Sequence, residues 1–162
     1  MLAAAALAAL ALERHGRLVR ARRDAHTDPL TGLPNRRGLA AAWPRRRQDA
    51  ALELMFIDLV GFRHVNGAHG HAIGDAVLQE VARRFRRSLP ATAWLARVGG
   101  DEFVAVGPPD TAAALTASLA QPIALPDGRY VTIGLRIGRA PVLGLDLGTA
   151  LARAQSALAK VA

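Results

Sequence analysis

The chain has 162 residues, with 21 basic and 13 acidic side chains for a net charge of +8, 51% hydrophobic residues and no cysteine. That length fits one domain, or one domain with a short appendage. The apolar share is that of a globular chain rather than a disordered one, and the lack of cysteine excludes a disulfide framework, zinc–thiolate sites and thiol catalysis.

A basic chain suits nucleic acid, anionic lipid or nucleotides as partners. Nucleic acid is not expected here: aromatics are only 4% of the residues, too few for a stacking platform, and the arginines spread over several helices without a recognition motif. Lys160 is the only lysine. Abundant alanine and arginine also fit a GC-rich genome, in which case part of the charge has no partner.

Residues 1–12, MLAAAALAALAL, are too few to cross a bilayer, which takes ~20 residues, and lack the basic start of a signal peptide. Arg14, Arg17, Arg20, Arg22 and Arg23 follow, as at the cytoplasmic end of a membrane helix. The stub of an anchor, an interfacial helix, half of a dimerising helix and a solvated alanine helix all fit. The chain therefore divides into an arm, residues 1–23, and a domain, residues 24–162. The expected location is cytoplasmic, at the inner face of the membrane if the arm binds lipid.

HTDPLTGLPNRR, residues 26–37, is broken by Pro29, Gly32 and Pro34 and reads as an ordered loop. A helix is predicted over 37–43 and a buried strand over 51–58. Residues 74–89 form the clearest helix, with Val77, Leu78, Val81, Ala82, Phe85 and Leu89 on one face and Arg83, Arg84, Arg86 and Arg87 largely on the others. Strands at 94–98 and 103–106 flank Gly99-Gly100-Asp101-Glu102 and suggest a hairpin. Asp110 is placed to cap a helix reaching about Leu119. A strand over 129–137 and a helix over 147–161 complete the order. The pattern is α+β: a mostly antiparallel sheet with helices packed on its faces.

Three features carry chemistry. Asp58 ends a strand, Asn66, His71 and Asp75 surround a glycine-rich turn, and Asp101-Glu102 sits at a hairpin tip. Two carboxylates brought together repel unless a cation lies between them. Hard oxygen ligands select Mg²⁺, which takes one or two carboxylates plus phosphate oxygens. The turn Val60–Arg63, with Phe62 inside it, offers backbone N–H groups to phosphates, and Arg63 adds charge. Asn66 and Asp75 suit guanine, whose N1–H and amino group pair with a carboxylate. His71 either contacts the base or braces the loop. Gly99 and Gly100 permit positive φ and close approach of a ligand.

RVGGDEF, residues 97–103, resembles the signature of GGDEF domains, the diguanylate cyclases. DPLTGLPNRRGL (28–39) and FIDLVGFRHVNGAHGHAIGDAVLQEVA (56–82) are similar to other blocks of that family in order and spacing. RIGRAP (136–141) with LARAQSALAK (151–160) is similar more weakly. The resemblance implies a nucleotide-cyclase-like, ferredoxin-like fold. It also implies condensation of two GTP molecules into cyclic di-GMP with release of two pyrophosphates, between two subunits facing each other as a homodimer.

By the same resemblance Asp58, Asp101 and the Leu59 carbonyl would hold Mg²⁺ (or Mn²⁺), and Glu102 would be the catalytic base or charge organiser. Asn66, His71 and Asp75 would bind guanine, and Phe62, Arg63 and Arg153 the phosphates. The chain departs from the family at Val60, where a second acid is common, and at Gly67, where an Asp follows the base-binding Asn. Gln155 and Ala159 replace an Asp and a Tyr in the last helix, and the segment after Phe103 is short. Pro90 and Ala93 stand where the family carries the Arg and Asp of its product-inhibition site, so no feedback site is expected. An alternative implied by these departures is a catalytically weak, GTP-binding regulatory module.

Overall fold

The computed structural model describes residues 13–14, 25–46 and 48–158. The arm assigned to residues 1–23 lies almost entirely outside the described residues, as does the last helix beyond 158. Among the described residues no helix is long and apolar enough to cross a membrane.

The fold is organised by β1 (Glu53–Val60), whose side chains alternate between two cores. Met55, Ile57 and Leu59 enter one core, while Leu54 and Phe56 enter the other. An apolar run buried on both faces needs cover on both, and the helices supply it. On the first face lie α2 (Phe62–His69), α3 (His71–Ser88) and α4 (Thr111–Ser118), contributing Val65, Val77, Val81, Phe85 and Leu115. On the second lie α1 (Arg36–Arg46) and α5 (Leu147–Leu158), through Leu39, Trp43, Ala150, Leu151 and Ala154.

The sheet is completed by β2 (Trp94–Arg97), β3 (Glu102–Gly107) and β6 (Gly134–Pro141), in the order β2-β3-β1-β6 with every pair antiparallel. The chain leaves β1, crosses through α2 and α3, forms β2 and returns along β3 into the gap beside β1. The result is the nucleotide-cyclase-like α+β arrangement. Phe85 and Phe103 lock α3 to β3 by an edge-to-face contact, with centroids 5.5 Å apart and planes at 86°.

The predicted order of elements holds, with local differences. The strand expected over 129–137 is two pieces: β5 (Tyr130–Val131) pairs with β4 (Ile123–Ala124) in a small separate sheet, and only β6 joins the main one. The helix expected from Gly74 starts three residues earlier, at His71, behind Gly70. Val60–Arg63 opens into a helix as its position suggests, and that helix, α2, already begins at Phe62 inside the expected turn. Asp110 does precede α4 but makes no side-chain cap bond.

The arginines of α3 act largely as staples. Arg83 and Arg84 both bond Glu80, Arg84 also reaches the carbonyls of Gln121 (2.5 Å) and Pro122 (2.9 Å), and Arg86 donates to the Gly32 carbonyl at 3.3 Å.

Candidate active site

The last ladder pair between β1 and β3 is Asp58 opposite Glu102. Beyond it the Leu59 N–H donates to the Asp101 carbonyl at 3.3 Å. In an antiparallel ladder the N–H and C=O of one residue are directed to the same side. The Leu59 carbonyl is therefore on the Asp101 side of the strand, past the end of the ladder. Asp58, Leu59, Val60, Gly61, Arg63, Asp101 and Arg136 line one cleft of about 380 Å³ at this end of the sheet. Four of the residues predicted from sequence, Asp58, Leu59, Arg63 and Asp101, are thus brought together by β1, α2 and the β2–β3 turn.

Gly61 precedes α2 with φ 90°, a left-handed turn that carries the chain from the strand into the helix. Phe62 itself is buried in the core at 6% exposure, so only its backbone N–H is available at the helix start. Arg63 is exposed on the cleft.

Asn66, His71 and Asp75 do not line this cleft. Gly70, with φ 80° and ψ 165°, breaks the helix between α2 and α3 in a conformation nearly confined to glycine. The break brings α3 against α2. There the Asn66 amide oxygen is buried with no hydrogen-bond partner. A side chain at Gly74 would strike that oxygen and approach Phe62 Cζ to 3.4 Å. Gly74 is therefore the space in which the Asn66 amide sits. His71 and Asp75 are exposed on the first turns of α3. Arg153 is exposed on α5 and is not among the residues lining the cleft.

The hairpin glycines differ from the sequence expectation. Neither Gly99 nor Gly100 has positive φ. At Gly99 the reason for glycine is room: a Cβ there would collide with the Glu102 carboxylate. At Gly100 a Cβ would meet nothing within 4 Å. Both line a neighbouring pocket of about 640 Å³ with Asp28, Asn35, Arg37 and Arg97.

Sequence reasoning gave no role to the two residues that fix this turn. Arg97 donates to both oxygens of Asp28 (2.9 and 3.1 Å) and, through Nε and Nη2, to the Gly100 carbonyl (3.1 and 2.7 Å). Asp28 in turn accepts from the N–H (2.9 Å) and hydroxyl (2.6 Å) of Thr31. Burial alone would raise the Asp28 carboxyl, but the Thr31 bonds and the Arg97 guanidinium outweigh it and hold it below the usual aspartate range. The loop before α1 is so bolted to the hairpin. The signal was present, since both residues lie inside the motif blocks, but their contact spans 69 positions. Arg136 was also missed. It projects from β6 onto Asp58, donating from Nε (3.1 Å) and Nη2 (2.6 Å) to Oδ2.

As a donor set for a cation the cleft offers two carboxylates and a backbone carbonyl. Among the described residues no group of three or more His, Asp or Glu side chains is arranged to hold a metal by itself. That set fits Mg²⁺, which is bound through one or two carboxylates and completes its shell with water and substrate phosphate.

The model of the family described as "Diguanylate cyclase, GGDEF domain" matches residues 25–161. A protein named diguanylate cyclase TpbB, from Pseudomonas aeruginosa, is 39% identical over 128 residues, covering 71% of this chain and 29% of the relative. The chain thus spans about three-tenths of the length of that curated relative. Among solved structures, the GGDEF domain of TpbB (YfiN) from the same organism is 34% identical with TM-score 0.72, covering 83% of this chain and 90% of that one. The coiled coil and GGDEF domain of DgcB from Caulobacter crescentus, solved in complex with c-di-GMP, is 26% identical with TM-score 0.77, covering 97% of this chain and 91% of that one. With the signature turn, the cyclase-like sheet and the family match in agreement, the chain belongs to the GGDEF-domain, diguanylate cyclase family.

Proposed function

We propose that this domain is an active diguanylate cyclase that condenses two GTP molecules into cyclic di-GMP and two pyrophosphates. The observation that carries the reading is the shared cleft: Asp58, Leu59, Arg63 and Asp101 meet at one end of the sheet. Asp58, Asp101 and the Leu59 carbonyl would hold Mg²⁺ (or Mn²⁺). When bound, the ion would offset charge on the phosphates and favour ionisation of the attacking 3′-hydroxyl.

The chain's own residues do the remainder. The first N–H groups of α2 and the Arg63 guanidinium bind phosphate oxygens. The Asn66 amide meets the edge of guanine that a carboxylate leaves free. His71 and Asp75, one turn away on α3, complete recognition of the base. Glu102, half-buried beside Gly99, takes the proton of the 3′-hydroxyl or organises charge around it. Arg153 contacts phosphate from α5. One domain holds one GTP, so the reaction requires a second copy, and the arm at residues 1–23 would raise the local concentration of that copy by pairing or by lying on a membrane.

A second reading, a GTP-binding regulatory module with weak turnover, is favoured by one observation. Val60 lines the cleft, 45% exposed, and its side chain offers no oxygen there. The test is incubation of the full chain with GTP and Mg²⁺ at several protein concentrations, with nucleotides resolved by chromatography. Cyclic di-GMP rising faster than linearly with protein supports the cyclase. Product formed equally by an Asp101→Ala/Glu102→Ala variant refutes it, and GTP binding without product selects the second reading.

A further inference from the structure

Arg136 is the fourth charged group of the cleft, after Asp58, Asp101 and Arg63. The register of β1 and β6 sets Arg136 directly opposite Asp58, so both side chains rise from the same face of the sheet. Both guanidinium donors fall on a single oxygen, Oδ2. Among the described residues none donates to Oδ1. The two partners are unequal: the Arg136 side chain is 46% exposed and that of Asp58 21%. The aspartate is held at the end of β1, while the long arginine stands half in solvent. A partly exposed pair of this kind is weakly bound and readily exchanged for another anion.

We propose that Arg136 is a displaceable internal cation. It occupies Asp58 in the absence of nucleotide and moves to the nucleotide's phosphates when a divalent ion takes Asp58, so that metal and nucleotide bind cooperatively. This rests on reading the cleft as a metal–nucleotide site. Charge balance gives the reason. Two carboxylates and two guanidiniums leave the cleft formally neutral. A divalent ion arriving alone meets an Asp58 already engaged by a cation. A polyphosphate arriving alone meets Asp58 and Asp101. Arriving together, the ion satisfies the carboxylates and frees Arg136, which joins Arg63 on the phosphates in the geometry guanidinium favours. Each ligand thereby raises the affinity of the other by the same factor.

The experiment uses the full chain with Arg136→Gln and Arg136→Lys variants. Binding of Mn²⁺ alone is followed by electron paramagnetic resonance. Binding of 3′-deoxyguanosine triphosphate, which lacks the attacking hydroxyl, is followed calorimetrically with saturating Mn²⁺. Arg136→Gln is expected to bind Mn²⁺ alone about fivefold more tightly and the metal-loaded nucleotide about fivefold more weakly. Arg136→Lys, which keeps the charge without the two-donor contact, is expected to fall between. Mn²⁺ affinity unchanged or weakened in Arg136→Gln overturns the proposal even where nucleotide binds normally, as does undiminished nucleotide affinity in that variant. Absence of nucleotide binding from every protein, wild type included, instead overturns the nucleotide reading itself. Unchanged thermal melts keep these comparisons free of misfolding, as expected for a half-exposed position on an edge strand.

Discussion

Replacing Gly74 by alanine isolates the proposed base-binding amide from the folding of the domain. Gly74 is buried near the start of α3, and a Cβ there would strike the Asn66 amide oxygen. The backbone is helical at this position, so alanine is locally welcome and favours the helix by up to about 1 kcal/mol over glycine. Turning the Asn66 side chain away costs about 0.5–1.5 kcal/mol, of similar size and opposite sign. Net stability is therefore expected to stay within about 1 kcal/mol of wild type, while the amide is no longer where a base would meet it. Losing one such hydrogen bond costs about 0.5–1.5 kcal/mol, or roughly two- to twelvefold in affinity. The assay is calorimetric titration with 3′-deoxyguanosine triphosphate beside a thermal melt, for Gly74→Ala, Asn66→Ala and the double variant. If the glycine acts through Asn66, the double variant binds no worse than Asn66→Ala alone. Wild-type affinity in a folded Gly74→Ala protein would refute the assignment of Asn66 to the base.

Further outcomes test the rest of the site and its support. Asp58→Asn and Asp101→Asn should each lower the rate of product formation by on the order of 10²-fold or more while leaving the thermal melt nearly unchanged, measured by chromatography of nucleotides. Phe85→Ala should destabilise the domain by about 3–5 kcal/mol in chemical denaturation, because the ring is fully buried edge-on to Phe103. Arg83, against burial and with help from Arg84, holds the Glu80 carboxyl down from 4.5 to about 2. The folded form thus binds its proton later than the unfolded chain does. Stability from Glu80 is then complete above about pH 4.5 and lost as pH falls towards 2, so a Glu80→Gln variant should show a flatter acid limb in denaturation midpoints. Cyclic di-GMP added in excess should leave the initial rate unchanged, since neither Pro90 nor Ala93 carries a charge or a side-chain donor.

How much of this was legible in the sequence depends on the range of the contact. The strand at β1 and the helix at α3 announce themselves by local periodicity, and the α+β class follows from the alternation of elements, whereas the strand order β2-β3-β1-β6 does not. Asp58 was recognisable at the end of the expected strand, which in fact runs on to Val60, and Asp101 at the tip of the expected hairpin. Their meeting in one cleft is the product of register, which Asp58 and Glu102 share across β1 and β3. Arg136 was not legible, for a physical reason: its role is fixed by the partner 78 residues earlier, and the local pattern starts the strand that carries it at Arg129. A strand begun there leaves open which residues face β1, and a slip of one residue would send Arg136 to the opposite face. The observed start at Gly134 sets Arg136 opposite Asp58 and makes it part of the cleft. The same logic explains Gly99. Glycine there permits positive φ, but the turn forms without it, and a Cβ at Gly99 would instead strike the Glu102 carboxylate and force it to shift. Replacement by alanine should therefore act on the position of Glu102 rather than on the hairpin, lowering turnover while the domain still folds.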